Sequence, residues 1–372
     1  MKWLIAVGAL VFIVIGFLFF KLPQPIIELK PEAIFHIGPL AVTNTMFTSW
    51  VMIALIVLVT KLGTRKLTLI PRGFQNLFEA VVDGFGNIAN GVAGEQNGRR
   101  FFPLVFILFL YIVLCNWAAL LPIFNVIGVA ENVQEHVAHE AEEHPDEIFA
   151  EQSIQGWVME KNGVTVVPLF TEVPYLKVNV PPNTTNAGAL ALLDESLEEE
   201  LGHPLDEETQ TFGFIAPYFR GVNTDVNAPL AYAIWSFIFV EFWGASALGL
   251  LYFTKFFNFQ RLFKGDILNG LIDVFVGILE LISEFARLIS FTFRLFGNIF
   301  AGEVLLFMMS FLISFLLVLP FFGLEIFVGL VQAFVFAMLT LVFGVMAVSG
   351  HGDHDEHGEA HGAAPHTTEG HV

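Results

Sequence analysis

The chain has 372 residues, of which 55% are hydrophobic, 42 are Phe and only 14% are charged, with a mean hydropathy of +0.69. Soluble domains sit nearer 25% charged and lack apolar runs of twenty residues or more, so a soluble globular class is excluded and a polytopic integral membrane protein is expected. The net charge of −19 is local: residues 131–208 hold 18 Asp/Glu against Lys161 and Lys177, and the tail 350–372 adds five acids with no Lys or Arg. Such acidity marks two solvent-exposed segments and gives no reason to expect nucleic acid as a partner.

Six apolar segments stand out in chain order, at roughly 3–20, 46–61, 102–123, 228–253, 267–319 and 321–349. The first follows "MKW" and resembles a signal peptide. It is long and ends in "FLFFKLPQP" without a small-residue cleavage pattern, so residues 1–30 are expected to be an uncleaved anchor helix and an external linker. Residues 31–127 then carry two spans. Lys61, Arg65, Lys66, Arg72, Arg99 and Arg100 lie between those spans, and Lys255, Arg261 and Lys264 follow the fourth segment. By the positive-inside rule both connections are expected to be cytoplasmic, as is the C-terminal tail. Within the first, "FQNLFEAVVDGFGNIANGV" (74–92) has helical apolar spacing but too little hydrophobicity to span, and it is expected to lie as an amphipathic helix on the cytoplasmic surface. The single Cys115 falls in the third apolar run, which allows no intrachain disulfide and reads as a small buried hydrophobe.

The acidic segment, 128–215 with its flanks, contains "VPPNTTNAG" and "DESLEEELGHPLDEE" and reads as an external polar insertion, partly ordered at best. Residues 216–349 follow as the core membrane helices. The tail 350–372, with "HGDHDEHGEAHGAAPHTTEGH", is low-complexity and expected to be disordered. Its histidine spacing also suits a transition metal, but a solvated tail is the expectation, with no metal site and no cofactor.

The run 267–319 contains no proline and no strong turn signal. A continuous helix of that length would run to about 80 Å against a hydrocarbon core of about 30 Å. Either it breaks at Gly297-Asn298, or it is one steeply tilted helix; periodicity alone leaves both open. On a continuous helix Asn298 lies about 40° around from Arg294 and one turn on. Glu280 also lies within about 40° of Arg294, about 21 Å nearer the cytoplasmic end, whereas Glu303 points to the opposite face. In the final run Glu325 and Gln332 share a face, with Glu325 nearer the external end.

Charged residues at membrane depth are costly and usually mark an ion path. The bland alternative, an Arg294 neutralised by a fixed carboxylate, finds no acid one turn away on its own helix. Arg287, with Glu284 three residues back, reads instead as an ordinary ion-paired rim. Guanidinium does not deprotonate in proteins, so Arg294 is a fixed cation, which suits repeated extraction of protons from passing carboxylic acids. Near 4 Å, at an effective dielectric of about 20, such a pair is worth roughly 4 kcal/mol.

At these residues the chain resembles a known family. "RLFGNIFAGE" (294–303) is similar to the signature of subunit a of the membrane sector of F-type ATP synthases. The likeness extends to "VQAFVFAMLT" (331–340), "ILELISEFARLISFTFRLFGN" (278–298), "GVNTDVNAPLAYAI" (221–234) and "NWAALLPIF" (116–124), which together cover most of the membrane body. The resemblance implies an all-α polytopic membrane protein of about five to six membrane helices, the last two long and strongly tilted, so that the Gly297-Asn298 turn is replaced by a continuous helix. It implies that Arg294 faces a ring of c subunits. Asn298, Glu303, Glu325 and Gln332 would line a half-channel open to the outside, and Glu280 a cytoplasmic exit. A histidine stands at the position of Glu325 in some members.

The implied function is a non-catalytic stator subunit that conducts protons through two offset half-channels, so coupling the gradient to rotation and ATP synthesis. The implied partners are the c-subunit ring, the b-subunit peripheral stalk, the soluble ATPase head reached through the stalks, and the lipid bilayer of a bacterial plasma membrane. No Gly-rich phosphate loop accompanies these motifs. The competing readings are an independent proton-coupled transporter, against which stands the lack of an internal repeat, and a purely structural anchor for the peripheral stalk.

Overall fold

A computed structural model describes residues 30–65, 68, 73–160, 165–166, 175–206, 208–256, 267–312 and 315–349. The expected anchor at 3–20 and the histidine-rich tail at 350–372 lie outside the described residues.

Five helices among the described residues are long and apolar enough to cross a membrane, and the chain is a multi-pass membrane protein with an α-helical membrane body. A short antiparallel hairpin, β1 (Ala33–Ile37) and β2 (Leu40–Thr43), leads into α1 (Asn44–Gly63). Thr43 starts that helix by accepting a hydrogen bond from Met46 N, the usual use of a hydroxyl at an N-cap. α1 buries only a stripe of mostly small polar residues, Asn44, Thr45, Thr48 and Met52. Its leucines, valines and isoleucines face outward, which in water would be untenable and in lipid is the ordinary arrangement.

α2 (Phe74–Ala118) is two helices joined at Gly94, whose φ of 75° and ψ of 162° are open essentially to glycine alone. The chain folds back there. Phe85 meets Phe102, Phe106 and Phe109 across the bend, the last pair stacked at 4.9 Å.

Residues 127–217 correct the expectation of an insertion partly ordered at best. They carry a five-stranded antiparallel sheet in the order β5-β3-β7-β4-β6, made of β3 (Ile127–Asn132), β4 (Ser153–Glu160), β5 (Thr165–Val166), β6 (Tyr175–Asn179) and β7 (Gln210–Pro217). Helices α3 (Val133–Glu143) and α4 (Asn186–Leu201) belong to the same fold. Val137, Ile154, Val158, Val178, Leu193, Leu197 and Phe212 form one core between helices and sheet. The acids that dominate the composition ride on the solvent faces, and the apolar minority at strand and helix periods makes the fold. Two glycines let β3 and β7 approach: a Cβ at Gly128 would collide with the Ala216 carbonyl, and one at Gly213 with the Glu131 carbonyl.

After a 3₁₀ turn at Val222–Thr224 come α5 (Asn227–Leu248) and a second 3₁₀ segment, Gly249–Lys255. The last two helices are α6 (Ile267–Leu312, 46 residues) and α7 (Phe315–Ser349, 35 residues). α6 passes through Gly297 and Asn298 without a break, so the continuous alternative holds and the turn does not form. At 46 residues it is about 69 Å long. That is about twice the hydrocarbon thickness, so an upright course would leave about half of it outside the apolar layer.

By internal contacts the chain divides into two units. The described parts of Met1–Thr68, Leu110–Pro229 and Phe293–Phe334 form one, and those of Leu69–Phe109, Leu230–Thr292 and Val335–Val372 form the other.

Candidate functional site: the polar groups of the last two helices

In the first unit, α6 and α7 bring four of the expected polar residues together in two couples. Asn298 Nδ2 donates to Gln332 Oε1 at 2.9 Å, joining the two helices through side-chain amides. Gln332 is buried and Asn298 exposed, so the couple sits at the edge of the helix pair. Arg294, one turn before Asn298, is exposed on α6.

The second couple is Glu303 with Glu325. Glu325 is buried, and its carboxylate lies so close to the α6 backbone that a Cβ at Gly302 would collide with both oxygens. Glu303 is next along the helix, and the two carboxylates lie near enough to repel. Glu303 is met from elsewhere in the chain: Asn125 Nδ2 donates to its Oε1 at 2.6 Å, Thr224 adjoins it, and the charge of Arg220 opposes it. A short bond to a carboxylate and a nearby guanidinium are the compensation a carboxylate needs at low dielectric.

A set of polar contacts joins the neighbouring elements of the same unit to one another and to α7. Asn223 Nδ2 donates to Asn116 Oδ1 at 2.7 Å, and Asn116 Nδ2 donates to Gly329 O at 3.0 Å on α7. Trp117 Nε1 donates to Ile326 O at 3.0 Å. Thr45 Oγ1 donates to Asp225 Oδ2 at 2.7 Å, tying α1 to the turn that opens α5. Apart from the exposed Trp117 these side chains are buried, and the bonds tie the C-terminal end of α2 and the turn before α5 to each other and to α7, and α1 to that same turn.

In the second unit Glu280 is half-buried on α6. One turn on, Glu284 is nearly fully buried and carries two cations: Arg287 Nη1 at 2.9 Å and Lys255 Nζ at 3.4 Å. The ion-paired rim read for Arg287 is present, and larger than sequence spacing shows. Lys255 also reaches Glu241 at 3.2 Å, donates to the Tyr252 hydroxyl at 2.6 Å and lies over the rings of Tyr252 and Phe256. Arg287 stacks on Phe343 at 4.1 Å. Beside the network a cavity of about 20 Å³, lined by Ser236, Glu284, Arg287 and Phe291 among others, has room for about one water.

Sequence reasoning missed Asn125, Thr224 and Arg220 as partners of Glu303, and Lys255 and Glu241 as partners of Glu284. Among the described residues no three His, Cys, Asp or Glu side chains converge as a metal site.

The comparisons with known proteins cover this same body. The family profile described as ATP synthase A chain matches residues 46–344. The protein named ATP synthase subunit a from Moorella thermoacetica is 24% identical over 324 residues, spanning 87% of this chain and 99% of that one. Its namesake from Gloeobacter violaceus is 26% identical, spanning 89% of this chain and 96% of its own length. ATP synthase subunit a 2 from a Bradyrhizobium species is 25% identical over 85% of this chain. With the profile spanning the polar couples of α6 and α7 and most of the rest of the sequence, the chain belongs to the ATP synthase A chain family.

Proposed function

We propose that this chain is the stator subunit a of an F-type ATP synthase and conducts protons to and from the carboxylates of a c-subunit ring. The observation that carries the reading is the arrangement on α6. Arg294 is exposed one turn from the Asn298–Gln332 amide couple, and the Glu303–Glu325 carboxylates lie further along the same helix.

In this reading a proton enters from outside past Glu325, Glu303, Asn298 and Gln332. It neutralises a ring carboxylate, which can then face lipid without the cost of a bare charge. After nearly a full rotation that carboxyl meets the cytoplasmic path at Glu280 and releases its proton. Arg294 holds the ionised form between the two paths and blocks a direct leak, because its own charge does not titrate. Each elementary charge crossing 100 mV supplies about 2.3 kcal/mol for rotation. The chain holds no part of the nucleotide chemistry. Its partners are the c-ring, a b-subunit peripheral stalk and, through the stalks, the soluble ATPase head, all at a bacterial plasma membrane with the C-terminal tail in the cytoplasm.

The test is purification of the affinity-tagged full chain from its native membrane, followed by reconstitution into vesicles. The expected result is co-purification of a ring of small subunits and an ATPase, with ATP-driven acidification of the vesicles. A chain that purifies alone and moves protons with a co-substrate would be a transporter and would end this reading.

A further inference from the structure

The strands that open and close the α/β domain meet at its foot. β3 and β7 pair from Gly128↔Pro217 onward. The ladder runs on past both strand ends, with Tyr218 N donating to Ile127 O at 3.0 Å and Asn125 N donating to Phe219 O at 2.9 Å. Asn125 takes a φ of 58°, the left-handed conformation that asparagine tolerates better than most residues. The result is that Asn125, just before β3, and Arg220, just after β7, are set side by side. Both act on one group: Asn125 Nδ2 lies 2.6 Å from Glu303 Oε1, and the Arg220 charge opposes the same carboxylate. Arg220 is itself held, 6% exposed, with its backbone N–H donating to Thr48 Oγ1 at 3.2 Å and its Nη1 to Lys30 O at 2.9 Å.

An appended domain with no bearing on the membrane helices needs only loose linkers. Here both linkers are hydrogen-bonded to each other and end on the functional carboxylate. We propose that Asn125 and Arg220 are positioning residues for Glu303, and that the α/β domain, through the foot of the β3–β7 ladder, fixes how that carboxylate is presented to incoming protons. The inference rests on the reading of Glu303 as part of the outer half-channel. It gives the insertion a role: a folded collar that holds the proton entry in shape.

The test uses the assembled synthase in vesicles, with the amount of assembled complex measured alongside ATP-driven pumping and passive proton conduction after removal of the soluble head. Asn125→Leu removes the donor, and Asn125→Gly removes it while keeping the left-handed backbone unstrained; loss of a charge-assisted hydrogen bond corresponds to about a tenfold fall in conduction in both. Arg220→Gln is expected to fall similarly, and Arg220→Lys to recover most of that loss, which a merely structural role for the side chain would not produce. Gly128→Val forces β3 from β7 at the foot without touching Glu303, and a fall of at least about threefold per assembled complex is expected. Asp194→Ala, at the remote surface contact with Gln134, should conduct as wild type. Wild-type conduction in assembled Asn125→Leu or Asn125→Gly overturns the inference, whatever the folding of the Gly128 variant. Arg294→Ala separates the two levels. Its loss of pumping beside unimpaired Asn125→Leu sinks this inference alone, while retained pumping sinks the reading of the path beneath it.

Discussion

Gly302 shows how closely one residue can be specified by a carboxylate on another helix. Any side chain there would occupy the space of the Glu325 oxygens. Gly302→Val must therefore displace the Glu325 carboxylate, at a cost of about 1–3 kcal/mol for overpacking. The expected outcome is proton conduction reduced about tenfold or more in a complex that still assembles, measured by fluorescence quenching of a pH dye in vesicles. The Asn298–Gln332 hydrogen bond gives a second residue-scale test. Asn298→Leu and Gln332→Leu should each impair pumping, and the double variant should be less than additive by about 1 kcal/mol, because both remove one interaction. Strict additivity would mean that the amides act separately. At this scale the polar residues of α6 and α7 were legible because so few polar groups occur in those runs. Asn125 and Arg220 were not. The recognisable stretches 116–124 and 221–234 stop one residue short of each, and nothing local in a sequence says that two loops ninety-five residues apart converge on Glu303.

At the scale of elements, the charge network of the second unit joins α5, the 3₁₀ segment after it and α6. Two acids, Glu241 and Glu284, are balanced by Lys255 and Arg287. Taking one cation away leaves a nearly fully buried Glu284 under-compensated, and broken buried pairs cost about 3–5 kcal/mol. Lys255→Met should therefore lower the thermal midpoint of the detergent-solubilised complex by several degrees, in a scan following intrinsic fluorescence. An unchanged midpoint would show the network to be dispensable. The Glu284–Arg287 half of it follows from i,i+3 spacing on one helix. The Lys255 and Glu241 half comes from other elements, which no helical wheel connects. Periodicity left the unbroken path of α6 as one of two alternatives, since Gly297-Asn298 is a turn sequence that tertiary packing overrides, and only the family resemblance pointed to the continuous helix.

For the whole molecule, the membrane body was readable from hydropathy, because lipid forces every span to satisfy its own backbone. The α/β domain was not. "SIQGWVME" and "QTFGFIAP" carry the alternation of strands, but each is interrupted by a glycine, which weakens a strand in isolation and here lets the sheet pack. The acidic flanks further masked a core as small as Val137, Leu193, Phe212 and their neighbours. Leu193→Ala should cost about 2–5 kcal/mol locally, seen as faster hydrogen exchange in β4 and β7. Sidedness is open to labelling because Cys115 is the only cysteine and is buried. Glu195→Cys on exposed α4 should react with a membrane-impermeant maleimide in intact cells, whereas reaction only in inverted vesicles would reverse the orientation.

The central claim is that Arg294 stands between two proton paths. Its most direct test is ATP-driven proton pumping by vesicles carrying Arg294→Ala, normalised to assembled complex. The expected result is pumping lost, with ATP hydrolysis uncoupled or stalled. Pumping at the wild-type rate by a fully assembled Arg294→Ala complex would contradict it.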